Sequence, residues 1–163
     1  MNHRRKRGTI VFVTLALTWV GERSWADPEV MELGKRKYLI CGACHGADGK
    51  GISPGPGMAM APNLLESDLL MRSEAELIAA ILFRGIQKED PADFMGQAMT
   101  ALGINQKDED LAAVITYVRS AFAGHDDVVT PEQVSEWRIK YATGEGMYSR
   151  EELEGMMLPK AKE

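Results

Sequence analysis

Two cysteines and a histidine carry the most specific chemistry in this chain, in the pattern C-x-x-C-H at Cys41, Cys44 and His45. This pattern is typical of c-type haem attachment, in which each thiol forms a thioether with one vinyl group and the histidine ligates the iron. The chain has only these two cysteines. We therefore expect one covalent haem c, with Cys41 and Cys44 as attachment residues and His45 as an axial ligand.

Two other chemistries use the same residue types. A redox dithiol of the thioredoxin kind needs a βαβ pattern near its C-x-x-C, and no alternating apolar strand precedes Cys41. A zinc site needs four ligands, and the sequence contains neither a second C-x-x-C nor an H-x-x-x-H. The pattern therefore favours haem over both alternatives.

The second axial ligand decides whether a haem protein transfers electrons or handles small molecules. Methionines in predicted loops can supply a thioether from the face opposite the histidine, and there are four of them: Met58, Met60, Met95 and Met99. Met99 lies between Gly96 and Gly103, in a segment that follows the middle helix and can cross the distal side. We expect Met99 to be the ligand, and Met58, Met60 and Met95 stay open as alternatives.

The first 26 residues have the features of a secretory signal peptide. Residues 4–7 are basic, residues 9–20 are mostly apolar, and Ser24 and Ala26 are small residues at the usual cleavage positions. The apolar run is short for a membrane span. We expect cleavage after Ala26, a periplasmic location and no stable membrane insertion of the cleaved chain.

The charge of the remaining chain is strongly negative. Of the 19 basic and 24 acidic residues, five basic and one acidic lie in the first 26, which leaves a net charge of −9. An acidic surface argues against nucleic acid and anionic lipid as partners. It suits a redox protein partner with a basic patch.

Helices joined by loops account for the pattern after residue 26, and strand signals are weak, so we predict an all-α fold. Ser73 and Glu76 have the spacing of a capping box and should open the middle helix. Other boundaries follow the same local rules: a first helix from Asp27-Pro28, a Gly- and Pro-rich loop over 46–62, and a long helix from Asp108 to Gly124.

Residues 125–163 extend beyond this long helix. The run Thr130-Pro131-Glu132-Gln133 should cap one further helix, and Ser149-x-x-Glu152 should cap a short last one. We therefore divide the chain into a signal peptide over 1–26, a main domain over 27–124 and a C-terminal helical extension over 125–163.

Several segments share the spacing of one family: Gly34-x-x-x-Tyr38, the run Cys44–Gly51, Ala61-Pro62-Asn63-Leu64, Gly96-Gln97-Ala98-Met99 and the helix over 108–119. Together with C-x-x-C-H they make residues 28–124 similar to the monohaem class I c-type cytochromes of bacteria. The resemblance implies the class I fold, with helices and loops around one covalent haem.

The resemblance also implies roles for individual residues. The Pro62 carbonyl would accept a hydrogen bond from His45, Leu64 would pack on the ring, and Met99 would be the sixth ligand. Gly34 would let the first and last core helices cross closely, with Tyr117 towards the crossing.

The function implied by the resemblance is electron transfer between redox proteins, a donor dehydrogenase and an acceptor oxidase or cytochrome. Such a carrier transforms no substrate, so we expect the protein not to be an enzyme. Two other functions stay open. One is a haem-based sensor or small-ligand binder with an open sixth site, and the other is a dedicated cytochrome subunit of a periplasmic dehydrogenase.

Overall fold

The structure, a computed structural model, describes residues 27–56, 58–88 and 98–157. These residues form six α-helices and one 3-10 turn: α1 Pro28–His45, the turn Leu64–Glu66, α2 Asp68–Met71, α3 Ala75–Arg84, α4 Asp108–Ala123, α5 Pro131–Tyr141 and α6 Arg150–Gly155. Within the described ranges no strand forms, which confirms the prediction of an all-α fold. The predicted signal peptide and Met95 lie outside the described residues.

Local sequence signals determine several helix ends. The Asp27 side chain accepts a hydrogen bond from the Glu29 amide, with Pro28 in the first turn of α1. Both predicted capping boxes of the extension form, one at the start of α5 and one at the start of α6. Helix α4 ends at Gly124, whose φ of 70° is left-handed. These boundaries confirm the sequence predictions.

The prediction of a capping box at the start of α3 was wrong. The helix begins at Ala75, but the Ser73 hydroxyl donates to the Leu69 carbonyl of the preceding turn. The Glu76 carboxylate accepts hydrogen bonds from Lys140 Nζ and the Tyr141 hydroxyl of α5, each at 2.8 Å. The cap does not form because both side chains have other hydrogen-bond partners. Glu76 bonds to a cation and a hydroxyl of the extension, and the hydroxyl of the buried Ser73 bonds within its own turn.

Helices α1 and α4 cross closely at Gly34. A Cβ atom at this position would lie 2.2 Å from the Ala113 carbonyl oxygen and 2.6 Å from Tyr117 Cβ. The rings of Tyr38, Tyr117 and Phe122 pack together beside the crossing, with centroids 5.1–5.8 Å apart. This geometry confirms the role of Gly34 that the resemblance implies.

The C-terminal extension packs against α3 and α4 and shares their hydrophobic core. Its buried apolar residues are Val129, Val134, Tyr141, Tyr148 and Leu153. The buried Arg119 side chain of α4 joins the two parts, because it pairs with Asp127 and also donates to the Ser73 carbonyl. None of the described helices combines the length and apolar character that a membrane crossing requires.

Candidate haem site

The two cysteines lie near the C-terminal end of α1, three residues apart. Residues at this spacing lie on the same side of a helix, so both sulfurs can reach one flat group. Neither cysteine forms a disulfide; Cys41 is partly buried and Cys44 is exposed. Burial raises the pKa of the Cys41 thiol to about 11. These thiols stand in for the two thioethers that a covalently attached haem would form.

His45, the last residue of α1, faces the Pro62 carbonyl, with 3.3 Å between His45 Nδ1 and the oxygen. A carbonyl oxygen only accepts, so the hydrogen bond requires the tautomer that carries its proton on Nδ1. The Nε2 lone pair is then available to a metal. Burial lowers the pKa of His45, and the contact with Pro62 opposes that shift. A neutral imidazole is the form that ligates iron.

The loop after α1 turns back on the helix end and brings Pro62 to His45. The Gly51 amide donates to the His45 carbonyl at 2.7 Å, and the Ile52 amide donates to the Cys44 carbonyl at 3.0 Å. Gly51 has a φ of 84°, and a Cβ atom there would lie 2.6 Å from the Ala61 carbonyl oxygen. The two limbs of the loop can therefore approach this closely only with glycine at position 51.

Sequence reasoning missed the roles of two residues that shape this site. One is Gly51, because a loop rich in glycine does not reveal which glycine takes the close approach. The other is Tyr38, whose hydroxyl donates to the Gly46 carbonyl at 2.9 Å and so holds the residue after His45. The resemblance includes the aromatic at position 38, but nothing in the sequence signals this hydrogen bond.

An apolar cleft opens beside Cys41. Its lining consists mainly of aliphatic side chains, with a polar rim at one edge: Ile40, Cys41, Leu82, Leu102, Leu111 and Val114, with Lys37, Gln106 and Asp110. Leu102 follows Met99 by three residues, so one cleft is lined by Cys41 and by the segment that carries the predicted sixth ligand. Aliphatic walls suit the face of a porphyrin tethered at Cys41, so the lining of the cleft fits a haem. His45, Pro62 and Met99 are not among the residues that line it.

The other predicted site residues take distinct positions. Met99 is partly buried and packs against the core, and its carbonyl accepts from the Ile86 amide at 2.8 Å. Leu64, in the 3-10 turn, is partly buried against the same core. Met58 is 44% exposed, and Met60 is partly buried in the loop.

An all-α fold with C-x-x-C-H at the end of its first helix, a carbonyl on the histidine and an adjoining apolar cleft defines a c-type cytochrome. The family model described as Cytochrome c matches residues 31–122, more than half of the chain, and the chain belongs to this family. Membership implies covalently bound haem c and supports haem-based electron transfer as the general function. The family typically carries electrons between redox proteins. A search of curated proteins finds no match to the chain.

Proposed function

We propose that this protein is a periplasmic electron carrier with a single haem c, tethered by Cys41 and Cys44 and ligated by His45 and Met99. The contact of 3.3 Å between His45 Nδ1 and the Pro62 carbonyl carries the proposal. It orients the imidazole and selects the tautomer with a free Nε2, which is the arrangement that a resident axial ligand requires. The bound haem supplies a one-electron ferric/ferrous couple.

The chain's own residues provide the rest of the function. Pro62 fixes the orientation of His45 and raises its basicity as a ligand. The thioether of Met99 is a soft donor that favours the ferrous state and raises the reduction potential. Leu64 and the aliphatic walls of the cleft exclude water from the ring. Membership of a family that typically carries electrons supports a carrier, so we propose a carrier and not an enzyme.

Three observations support Met99 as the ligand. Its backbone is held by the Ile86 amide, its side chain packs against the core, and its segment contributes Leu102 to the cleft beside Cys41. Met58 is 44% exposed, so its sulfur has little packing to hold it in one position.

The location and the partners follow from the sequence. The basic and apolar pattern of residues 1–26 supports export to the periplasm, where covalent haem is attached. The net charge of −9 after residue 26 supports docking to a basic patch on a donor dehydrogenase and on an acceptor oxidase or cytochrome.

The test compares Met99→Ala with Met58→Ala and Met60→Ala in the purified holoprotein. We expect Met99→Ala alone to lose the far-red absorption band of methionine-ligated ferric haem, to lower the reduction potential and to let the reduced protein bind carbon monoxide. The parent and the two control variants should keep the band and bind carbon monoxide poorly.

Retention of the band in Met99→Ala, with its loss in a control variant, would move the ligand to that other residue. Ready binding of carbon monoxide by the parent would contradict the carrier and favour a sensor with an open sixth site.

A further inference from the structure

The C-terminal extension contacts the segment that carries Met99 directly through Arg138 and indirectly through residues 85–87. We propose that the extension positions this segment, residues 98–106, and thereby holds the sixth ligand on the iron. This inference depends on the proposed function, because it takes Met99 to be that ligand. We call residues 98–106 the Met99 segment and residues 144–149 the tail strap.

The first contact is a pairing of three backbone segments, with the residues after α3 in the middle. Ile86 pairs with Met99 in antiparallel fashion on one side and with Tyr148 in parallel fashion on the other. The Ile86 amide donates to the Met99 carbonyl at 2.8 Å. On the side of Tyr148, the Tyr148 amide donates to the Gly85 carbonyl at 3.1 Å, and the Gln87 amide donates to the Tyr148 carbonyl at 2.8 Å. The tail strap therefore bonds to Gly85 and Gln87, the two residues that flank Ile86, and Ile86 bonds to Met99.

This pairing depends on a close approach at Gly85. The residue has a φ of 82°, and a Cβ atom there would lie 2.2 Å from the Met99 carbonyl oxygen. A side chain at position 85 would push the Met99 carbonyl away, and the hydrogen bond from Ile86 couples the position of residues 85–87 to that of Met99. The tail strap thus acts on the position of Met99 through residues 85–87.

Side chains of α3 and its C-terminal end anchor the tail strap. Arg84 Nε donates to the Gly146 carbonyl at 2.9 Å, and Nη2 donates to the Glu145 carbonyl at 2.5 Å. The same guanidinium lies 4.0 Å from the ring centroid of the buried Tyr148. Gln87 Nε2 donates to the Met147 carbonyl at 2.7 Å. These contacts hold the tail strap in one conformation, although it lies in a loop.

The second contact is made by Arg138 of α5 at the far end of the Met99 segment. Its guanidinium donates to the Gly103, Ile104 and Gln106 carbonyls at 3.3, 3.0 and 2.6 Å. Its Nε also donates to Asp108 at 2.8 Å. One planar guanidinium can serve these acceptors together, whereas a lysine offers a single ammonium. Arg138 therefore fixes the segment between Met99 and α4.

The physical consequence concerns ligand affinity. Residues 98–106 form no helix or strand of their own apart from the bridge at Met99. A ligand on such a segment binds in proportion to the fraction of time that the segment spends in the ligating conformation. The tail strap and Arg138 raise this fraction from two ends. Loosening either should let an external ligand replace the Met99 sulfur more readily.

The experiment measures the binding of imidazole to the ferric holoprotein, in the full chain. We expect Arg138→Leu and Arg84→Leu to bind imidazole about tenfold more tightly than the parent, which corresponds to about 1.4 kcal/mol. Arg138→Lys should give a smaller increase in the same direction. The control is Val134→Ala, which removes a fully buried side chain from the same helix as Arg138. It should lower thermal stability without changing imidazole affinity.

Met99→Ala separates the possible failures. It should bind imidazole most tightly, and adding Arg138→Leu to it should have no further effect. If Met99→Ala opens the site but neither arginine variant changes imidazole affinity, this inference is overturned and the proposed ligation stands. If Met99→Ala changes neither the spectrum nor imidazole affinity, the ligand assignment and this inference fall together. An equal gain in imidazole affinity for Val134→Ala would show that general destabilisation causes the gain in the arginine variants. That result would also overturn the inference.

Discussion

Gly34→Ala should destabilise the protein through the crossing of α1 and α4. The added Cβ would lie 2.2 Å from the Ala113 carbonyl oxygen, and this atom belongs to the backbone of α4. No rotamer change can relieve a clash between Cβ and backbone. The two helices must separate by at least about 1 Å to restore an ordinary contact distance. The separation would also pull Tyr38 away from Tyr117 and Phe122, so the aromatic packing beside the crossing weakens.

A control variant in the same helix isolates the free-energy cost of the clash. Overpacking of this kind costs about 1–3 kcal/mol, and a backbone neighbour favours the upper end of that range. Replacing glycine by alanine within a helix gains about 1 kcal/mol of intrinsic propensity. Gly42→Ala should have the same gain without the clash, because its Cβ would meet Tyr38 Cε1 at an ordinary 3.6 Å. The two variants should therefore differ in stability by about 2–3 kcal/mol.

Guanidinium unfolding of the ferric holoprotein, followed by helical circular dichroism, gives the free energy of unfolding of each variant. We expect the transition midpoint of Gly34→Ala to fall below that of the parent, and the midpoint of Gly42→Ala to equal or exceed it. A Gly34→Ala protein as stable as Gly42→Ala would refute the role of the close crossing.

Two other predictions concern charged groups. The hydrogen bond from Lys140, together with that from Tyr141, lowers the pKa of Glu76, and burial opposes this shift. The ionised carboxylate therefore stabilises the fold fully above the ordinary pKa of glutamate. This stabilisation is lost as the pH falls through the lowered pKa of Glu76. Thermal melts should therefore show parent and Glu76→Gln differing at neutral pH and converging in acid, and a gap that widens in acid would contradict the sign. Asp127→Asn should cost about 2 kcal/mol in chemical unfolding, because it removes the negative charge that pairs with the buried Arg119. The neighbouring Asp126→Asn should cost much less, and equal losses would count against the pairing.

Much of this protein was determined by its sequence over short distances. The capping boxes of α5 and α6, the Asp27-Pro28 start and the glycine after α4 act within a few residues of the chain, so they form without distant partners. The attachment motif is equally local, because the two cysteines and the histidine reach one group from the end of a single helix. For these reasons the helical class and the haem chemistry could be predicted from the sequence.

Only the tertiary structure decided how the distant parts use one another. Glu76 has the spacing of a cap, yet it bonds to α5, because folding brings Lys140 and Tyr141 within its reach. The pairing of the extension with residues 85–87, and the three carbonyls gathered by Arg138, join positions that are far apart in the chain. Backbone groups look alike in every sequence, so their long-range partners are determined by packing and not by residue type.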